Sequence, residues 1–282
     1  MQLVEVNGMQ FEVLPWSQRA AKLIADPLRN YLLPASFWQR VLRHSRSPLI
    51  AESFRRPGGW QSMRIVYANE PPVDLFDRMA VRSNPISMAS RNRRKLIVSK
   101  LSEIVKSRAG ESQLSIIGVG AGPGLHVQEA ICQSGIEPAR VKAYLIDRDS
   151  DAFEYGRQCA RDRGIENCVS FVQGDAREIR RVLPHVEPQI VKVVGLLEYL
   201  TDDQALDLLR ALREVMVPGA QILTHGIVDR YNTAPFVART FGLKHVYRTG
   251  SQVRQMLETL GFHSIEMSQE PLKIYPILIA RK

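Results

Sequence analysis

Five short segments of this 282-residue chain place reactive or ligand-holding residues directly behind apolar runs. The first follows Leu114–Ile117 and sets Gly118, Gly120, Gly122 and Gly124 at every second position. Alternating glycines permit a turn too sharp for side chains and let a ligand lie against the main chain. A helix starting there would direct its free N–H groups at that ligand. The second segment is Asp147-Arg148, where a carboxylate offers two acceptor oxygens, enough for two neighbouring hydroxyls. The third is Gly174-Asp175-Ala176, the fourth Glu198-Tyr199 and the fifth His225. Glu198 and His225 are residue types that remove protons, and an imidazole does so near neutral pH. Tyr199 can offer a cation its π face or an acceptor its hydroxyl. Asp229, Tyr231 and Asn232 are looser candidates for substrate contact, within a run of polar residues from Thr224 to Asn232.

The elements that must carry these residues alternate. Apolar runs predict strands at 114–117, 141–146, 168–172, 190–195 and 220–224, with a closing pair near 263–268 and 274–280. Helical periodicity falls between them, at 124–134, 150–163, 202–215 and 250–260. This alternation predicts a doubly wound α/β fold, a seven-stranded mostly parallel sheet with an antiparallel edge hairpin. In such sheets ligands bind beyond the carboxyl ends of the strands, where all five segments fall.

The glycine spacing selects among nucleotide sites. A dinucleotide fingerprint would need its third glycine at Pro123 or Leu125, and no Gly-Lys-Ser/Thr of a phosphate loop is present. The Gly-x-Gly-x-Gly run resembles motif I of the class I S-adenosylmethionine-dependent methyltransferases. Gly174-Asp175-Ala176 and the turn Val217-Pro218-Gly219-Ala220 are similar to further signatures of that family. The resemblance covers roughly residues 95–282. It implies S-adenosylmethionine as cofactor, held by Gly118, Gly120, Gly122, Asp147, Arg148, Asp175, Ala176 and Glu198. Asp147 would take the ribose, while Asp175 and the N–H of Ala176 would take the adenine. Tyr199, Glu198 and His225 would stand at the reacting end. The family usually carries an acidic residue two positions before the first glycine; here it is Ile116. The amino-acid end of the cofactor would then need other partners, such as Arg82 or Glu198. No metal site is expected.

Residues 1–85 read as a mainly helical accessory or cap domain, and residues 86–282 as the cofactor-binding domain. A small hairpin is expected around Asn7-Gly8, and a helix from Ser17 carrying Ala20, Ala21, Leu23, Ile24, Leu28, Tyr31 and Leu32. Further expectations are a helix at Ser36–His44, a short strand at Met63–Tyr67, helical turns in Val73–Val81, and a long helix from Ile86 to Arg108. The net charge of +9 is concentrated in residues 1–110, with 18 Lys/Arg against 8 Asp/Glu. That asymmetry favours an anionic acceptor. The expected activity is methyl transfer to a small molecule. Transfer of the aminocarboxypropyl arm with release of methylthioadenosine, RNA methylation, and cofactor binding without catalysis remain the other readings. Three cysteines with no Cys-x-x-Cys pair, and no apolar run near 20 residues, suggest a cytoplasmic protein with no membrane partner.

Overall fold

The computed structural model describes residues 2–282, which form two compact units. The smaller begins with β1 (Gln2–Val6), β2 (Met9–Val13), α1 (Trp16–Pro27), α2 (Ala35–Leu42), α3 (Pro48–Arg55), α4 (Trp60–Ala68) and the first half of α5 (Pro85–Ser107). The larger takes up the chain at Leu96 with β3 (Leu114–Val119), α6 (Leu125–Ser134), β4 (Val141–Asp147), α7 (Phe153–Asp162), β5 (Val169–Gln173), β6 (Ile190–Val193), α8 (Asp202–Val215) and β7 (Gln221–His225). Residues 228–247, including α9 (Ala234–Phe241), return to the smaller unit. The chain ends with α10 (Gly250–Thr259), β8 (His263–Gln269) and β9 (Pro276–Arg281). Residues 269–275 also belong to the smaller unit, which by contacts extends along the chain to Lys95.

In the smaller unit, Asn7 and Gly8 both take positive φ (50° and 75°), the geometry a two-residue hairpin turn requires. Buried Glu12 on β2 receives two parallel bonds from the Arg91 guanidinium on α5, both 2.6 Å. Asn92 adds a reciprocal pair to the Glu12 backbone, accepting its N–H and donating to its C=O at 2.8 Å. These bonds fix the hairpin on the start of the long helix. Buried Glu270 accepts the N–H groups of Leu272, Ile274 and Tyr275, which shapes the 269–275 segment.

The strand expected at Met63–Tyr67 is instead the middle of α4. Helical spacing brings Met63 and Val66 into one apolar cluster with Leu49 and Val81, and that burial outweighs the β preference of Ile65-Val66. Helix α9 was not expected from the sequence; Asp229 starts it by accepting the N–H groups of Thr233 and Ala234. Helix α1 forms as its periodicity predicts, but Ile24, Leu28, Tyr31 and Leu32 face outward. The side chain of Leu23 lies outside the described residues.

The larger unit holds a seven-stranded sheet in the order β5-β4-β3-β6-β7-β9-β8. Strands β3 to β7 are mutually parallel, and β9 runs antiparallel to β7. One face buries Ile117, Val119, Val191, Val193 and Ile222 against Leu208, Leu209 and Leu212 of α8 and Leu257 of α10. Helices α8 and α10 each start in a reciprocal capping box, Thr201/Gln204 and Thr249/Gln252, so both begin immediately after the loops that precede them. Order reverses between β3 and β6, and the crevice there opens at the carboxyl ends of the strands.

Candidate functional site

The glycine turn follows β3 at this reversal. Gly120 takes φ +57°, and a Cβ on it would stand 3.1 Å from the Leu196 side chain. Gly124 takes φ +72° as the residue before α6, and a Cβ there would meet Leu145 Cδ1 at 2.1 Å. The glycines therefore let the turn pack flat against the ends of β4 and of the loop after β6. Gly122 also has positive φ, +52°, and donates its N–H to Asp147 Oδ2 at 2.8 Å. The other Asp147 oxygen accepts the N–H of Asp149 at 3.0 Å. Asp147 is thus held half-buried at the end of β4, and each carboxylate oxygen still has a lone pair for an outside donor. Arg148 beside it is exposed.

At the end of β5, Asp175 is gripped by Arg177. The guanidinium bonds both carboxylate oxygens, with Nη2–Oδ2 at 2.6 Å and Nε–Oδ1 at 3.1 Å, and the Arg177 N–H adds a third donor at 3.0 Å. The Arg177 hydrogen bonds hold the Asp175 carboxyl at a pKa of about 2. Ala176 is buried directly behind it.

The loop after β6 carries Glu198 and Tyr199 in a single tight turn, with the carboxylate buried and the phenol exposed. Two side chains fasten this turn. His225, at the end of β7 and 2 % exposed, accepts the Gly195 N–H on Nε2 at 3.0 Å. Its Nδ1 lies 2.8 Å from the carbonyl of Gly226, which fixes the proton on Nδ1 and makes the ring neutral. Glu198 Oε2 approaches Nε2 to 3.7 Å. Arg248, buried beyond β7, donates to the carbonyls of Leu197 and Leu200, both at 2.7 Å, and to Asp202 at 2.8 Å.

The structure thus places Gly118, Gly120, Gly122, Asp147, Arg148, Asp175, Ala176, Glu198, Tyr199 and His225 at the carboxyl ends of β3 to β7. Ile116 is fully buried within β3, and Arg82, in the smaller unit, donates to the carbonyl of Asn69. Asp229 is occupied by the N–H groups of Thr233 and Ala234 at the start of α9. Arg177 and Arg248 escaped the sequence reading. Arg177 stands two residues past an expected ligand, but Arg248 follows no apolar run and only the fold brings it to the turn. Among the described residues no group of three or more His, Cys, Asp or Glu could hold a metal ion.

Sheet order, glycine turn and strand-end carboxylates together define a class I methyltransferase fold. The family model described as "Putative methyltransferase" matches residues 65–282, and the chain belongs to that family. It is accordingly an S-adenosylmethionine-dependent transferase. Solved structures share the fold at low identity. A "possible exported protein" from Bordetella parapertussis is 16% identical, with a TM-score of 0.68 over 95% of this chain and 96% of that one. Magnesium protoporphyrin IX methyltransferase from Synechocystis PCC 6803, with bound SAH, is 14% identical, with a TM-score of 0.59 over 83% and 98%. An O-methyltransferase family protein from Burkholderia thailandensis is 13% identical, with a TM-score of 0.55 over 83% and 71%. A search of curated protein sequences finds no match.

Proposed function

We propose that the chain transfers the methyl group of S-adenosylmethionine to a small anionic acceptor. The bond between Gly122 N–H and Asp147 carries this reading, because it joins the glycine turn to the carboxylate suited to a ribose. When bound, the cofactor supplies an activated methyl carbon on a sulfonium. The glycine turn supplies a close main-chain approach, and Asp147 accepts from the ribose hydroxyls. Asp175 and the N–H of Ala176 receive the adenine edge, for which Arg177 keeps the Asp175 carboxylate ionised. Arg148 lies along the same rim, and Gly118 keeps the turn close to β4.

Methyl displacement needs alignment and exclusion of water more than acid–base help. Tyr199 and Glu198, fixed on their clamped turn, face the reacting end. Glu198 holds an amine or takes the proton of a protonated nucleophile. His225 positions that turn: both ring nitrogens are engaged by the backbone. The excess of Lys/Arg in residues 1–110 favours an anionic acceptor. The three cysteines form no disulfide, which supports a reducing, cytoplasmic setting. Among the described residues no helix is long and apolar enough to cross a membrane.

The test is to incubate pure protein with S-adenosylmethionine, with and without extract from its source, and to identify the nucleoside product by mass spectrometry. Extract-dependent S-adenosylhomocysteine, together with a small molecule heavier by one methyl group, is the expected result. Methylthioadenosine above background would overturn it in favour of arm transfer. Methylated RNA in place of a small molecule would overturn the acceptor class.

A further inference from the structure

Helix α1 is turned the wrong way round for a helix of a globular unit. Its solvent side carries Trp16, Ala20 and Ile24, four residues apart, and Leu28, Tyr31 and Leu32 continue it through the π-helical turn Leu28–Leu32 that follows. Trp16 is 81% exposed, Ile24 72%, Tyr31 64% and Leu32 72%. A row four residues apart occupies one helical face, and from Trp16 to Leu32 it runs on the order of 24 Å. The inward side is polar. Asp26 is buried and paired with Arg29 at 3.1 Å and Lys22 at 3.7 Å. Asn30 is fully buried and donates to the carbonyl of Asn232 at 2.6 Å, and Arg239 donates to the carbonyl of Asn30. Trp38 on α2 donates to the carbonyl of Arg29 at 3.1 Å. Satisfied polar contacts therefore hold α1 in this rotation, and its apolar face is left to water.

The stretch of chain that carries that face is strongly basic. Between Leu14 and Asn69 the only acidic residues are Asp26 and Glu52, both buried, against nine Lys/Arg. Arg19, Arg40, Arg43 and Arg46 are exposed, and Phe37, 44% exposed, stands one helical turn before Arg40 on α2. We infer that α1 docks this unit, lying flat, on an anionic lipid surface. An apolar stripe with an exposed Trp and Tyr, in an arginine-rich stretch of chain, matches the acyl boundary beneath a layer of anionic headgroups. A second copy would set like charges against each other. Single-stranded nucleic acid would stack on the aromatics but leave Ile24, Leu28 and Leu32 without a partner.

The test is co-sedimentation of the full chain with phosphatidylglycerol/phosphatidylcholine vesicles and with pure phosphatidylcholine vesicles. Ile24→Asp/Leu32→Asp and Arg40→Glu/Arg43→Glu variants, first checked for native circular dichroism, run alongside. The expected result is binding to the anionic vesicles only, falling as salt rises and weakened about tenfold or more by either double substitution. Tryptophan emission shifts to the blue on binding, and Trp16→Phe removes that shift. No binding to anionic vesicles overturns the inference. So does a homodimer in light scattering that Ile24→Asp/Leu32→Asp dissolves, or RNA binding lost in the same variant without lipid binding.

Discussion

Nε2 of His225 accepts the N–H of Gly195 at 3.0 Å, so the end of β7 holds the loop that leaves β6. A histidine used this way has no lone pair left for a substrate proton, and protonating it would set two N–H groups against each other. His225→Ala leaves the Gly195 N–H without its acceptor and is expected to cost about 1–3 kcal/mol of stability. Turnover falls with it, and added imidazole restores none of the loss. Rescue by imidazole in a methyl-transfer assay would instead make His225 the base.

Arg248 fixes the other end of the same turn through three bonds from one guanidinium. Arg248→Ala takes the donor from a buried carbonyl, Leu197, and a half-buried one, Leu200, an expected cost of roughly 3 kcal/mol in denaturant unfolding. Arg248→Lys, with a single point donor, recovers part of the stability but less of the turnover, because the fork geometry sets Glu198 and Tyr199.

The proposed function gives Asp147 the ribose of the cofactor. Asp147→Ala should weaken S-adenosylmethionine binding by roughly 1.5–3 kcal/mol, about 10- to 150-fold, measured by calorimetry. Asp147→Asn keeps an acceptor for Gly122 but loses the charge, and is expected to fall between the two. Unchanged affinity in both would place the ribose elsewhere.

The Asp175 carboxyl titrates near 2 because Arg177 bonds it from two sides. Its folded value lies below its unfolded one, so its contribution to stability is present above about pH 4 and is lost as pH falls through about 2. Cofactor binding accordingly shows no acid limb from this residue between neutral pH and about pH 4. Arg177→Ala removes the cause, and an NMR titration should find the carboxyl back near the ordinary carboxylate range.

In the smaller unit, Arg91→Ala strands the buried Glu12 carboxylate. The expected loss is about 3–5 kcal/mol in thermal or denaturant unfolding. Replacing Glu12 and Arg91 together with apolar residues should recover much of it, since no lone charge then remains in the interior.

The sequence by itself determined the sheet. Its central strands β3, β6 and β7 pair an apolar run with a punctuating turn, and burial on both faces makes that signal local. For the same reason helix α8 falls at 202–215 as its periodicity predicts, with its Thr201 cap. The glycine spacing and the carboxylates at 147 and 175 were legible because a ligand-facing turn needs particular residue types at fixed distances from a strand end. What the tertiary structure decided depends on partners remote in the chain. Met63–Tyr67 is helical because Leu49 and Val81 bury it, and periodicity over five residues carries no such information. His225 has the residue type of a base, and only the fold brings the Gly195 N–H, thirty residues earlier, to its Nε2. Arg248 gave no local sign of its hold on Leu197 and Leu200. Helix α1 has an unmistakable period, yet a period states only that two faces differ. Asp26, Asn30 and Asn232 decide which of them meets the protein.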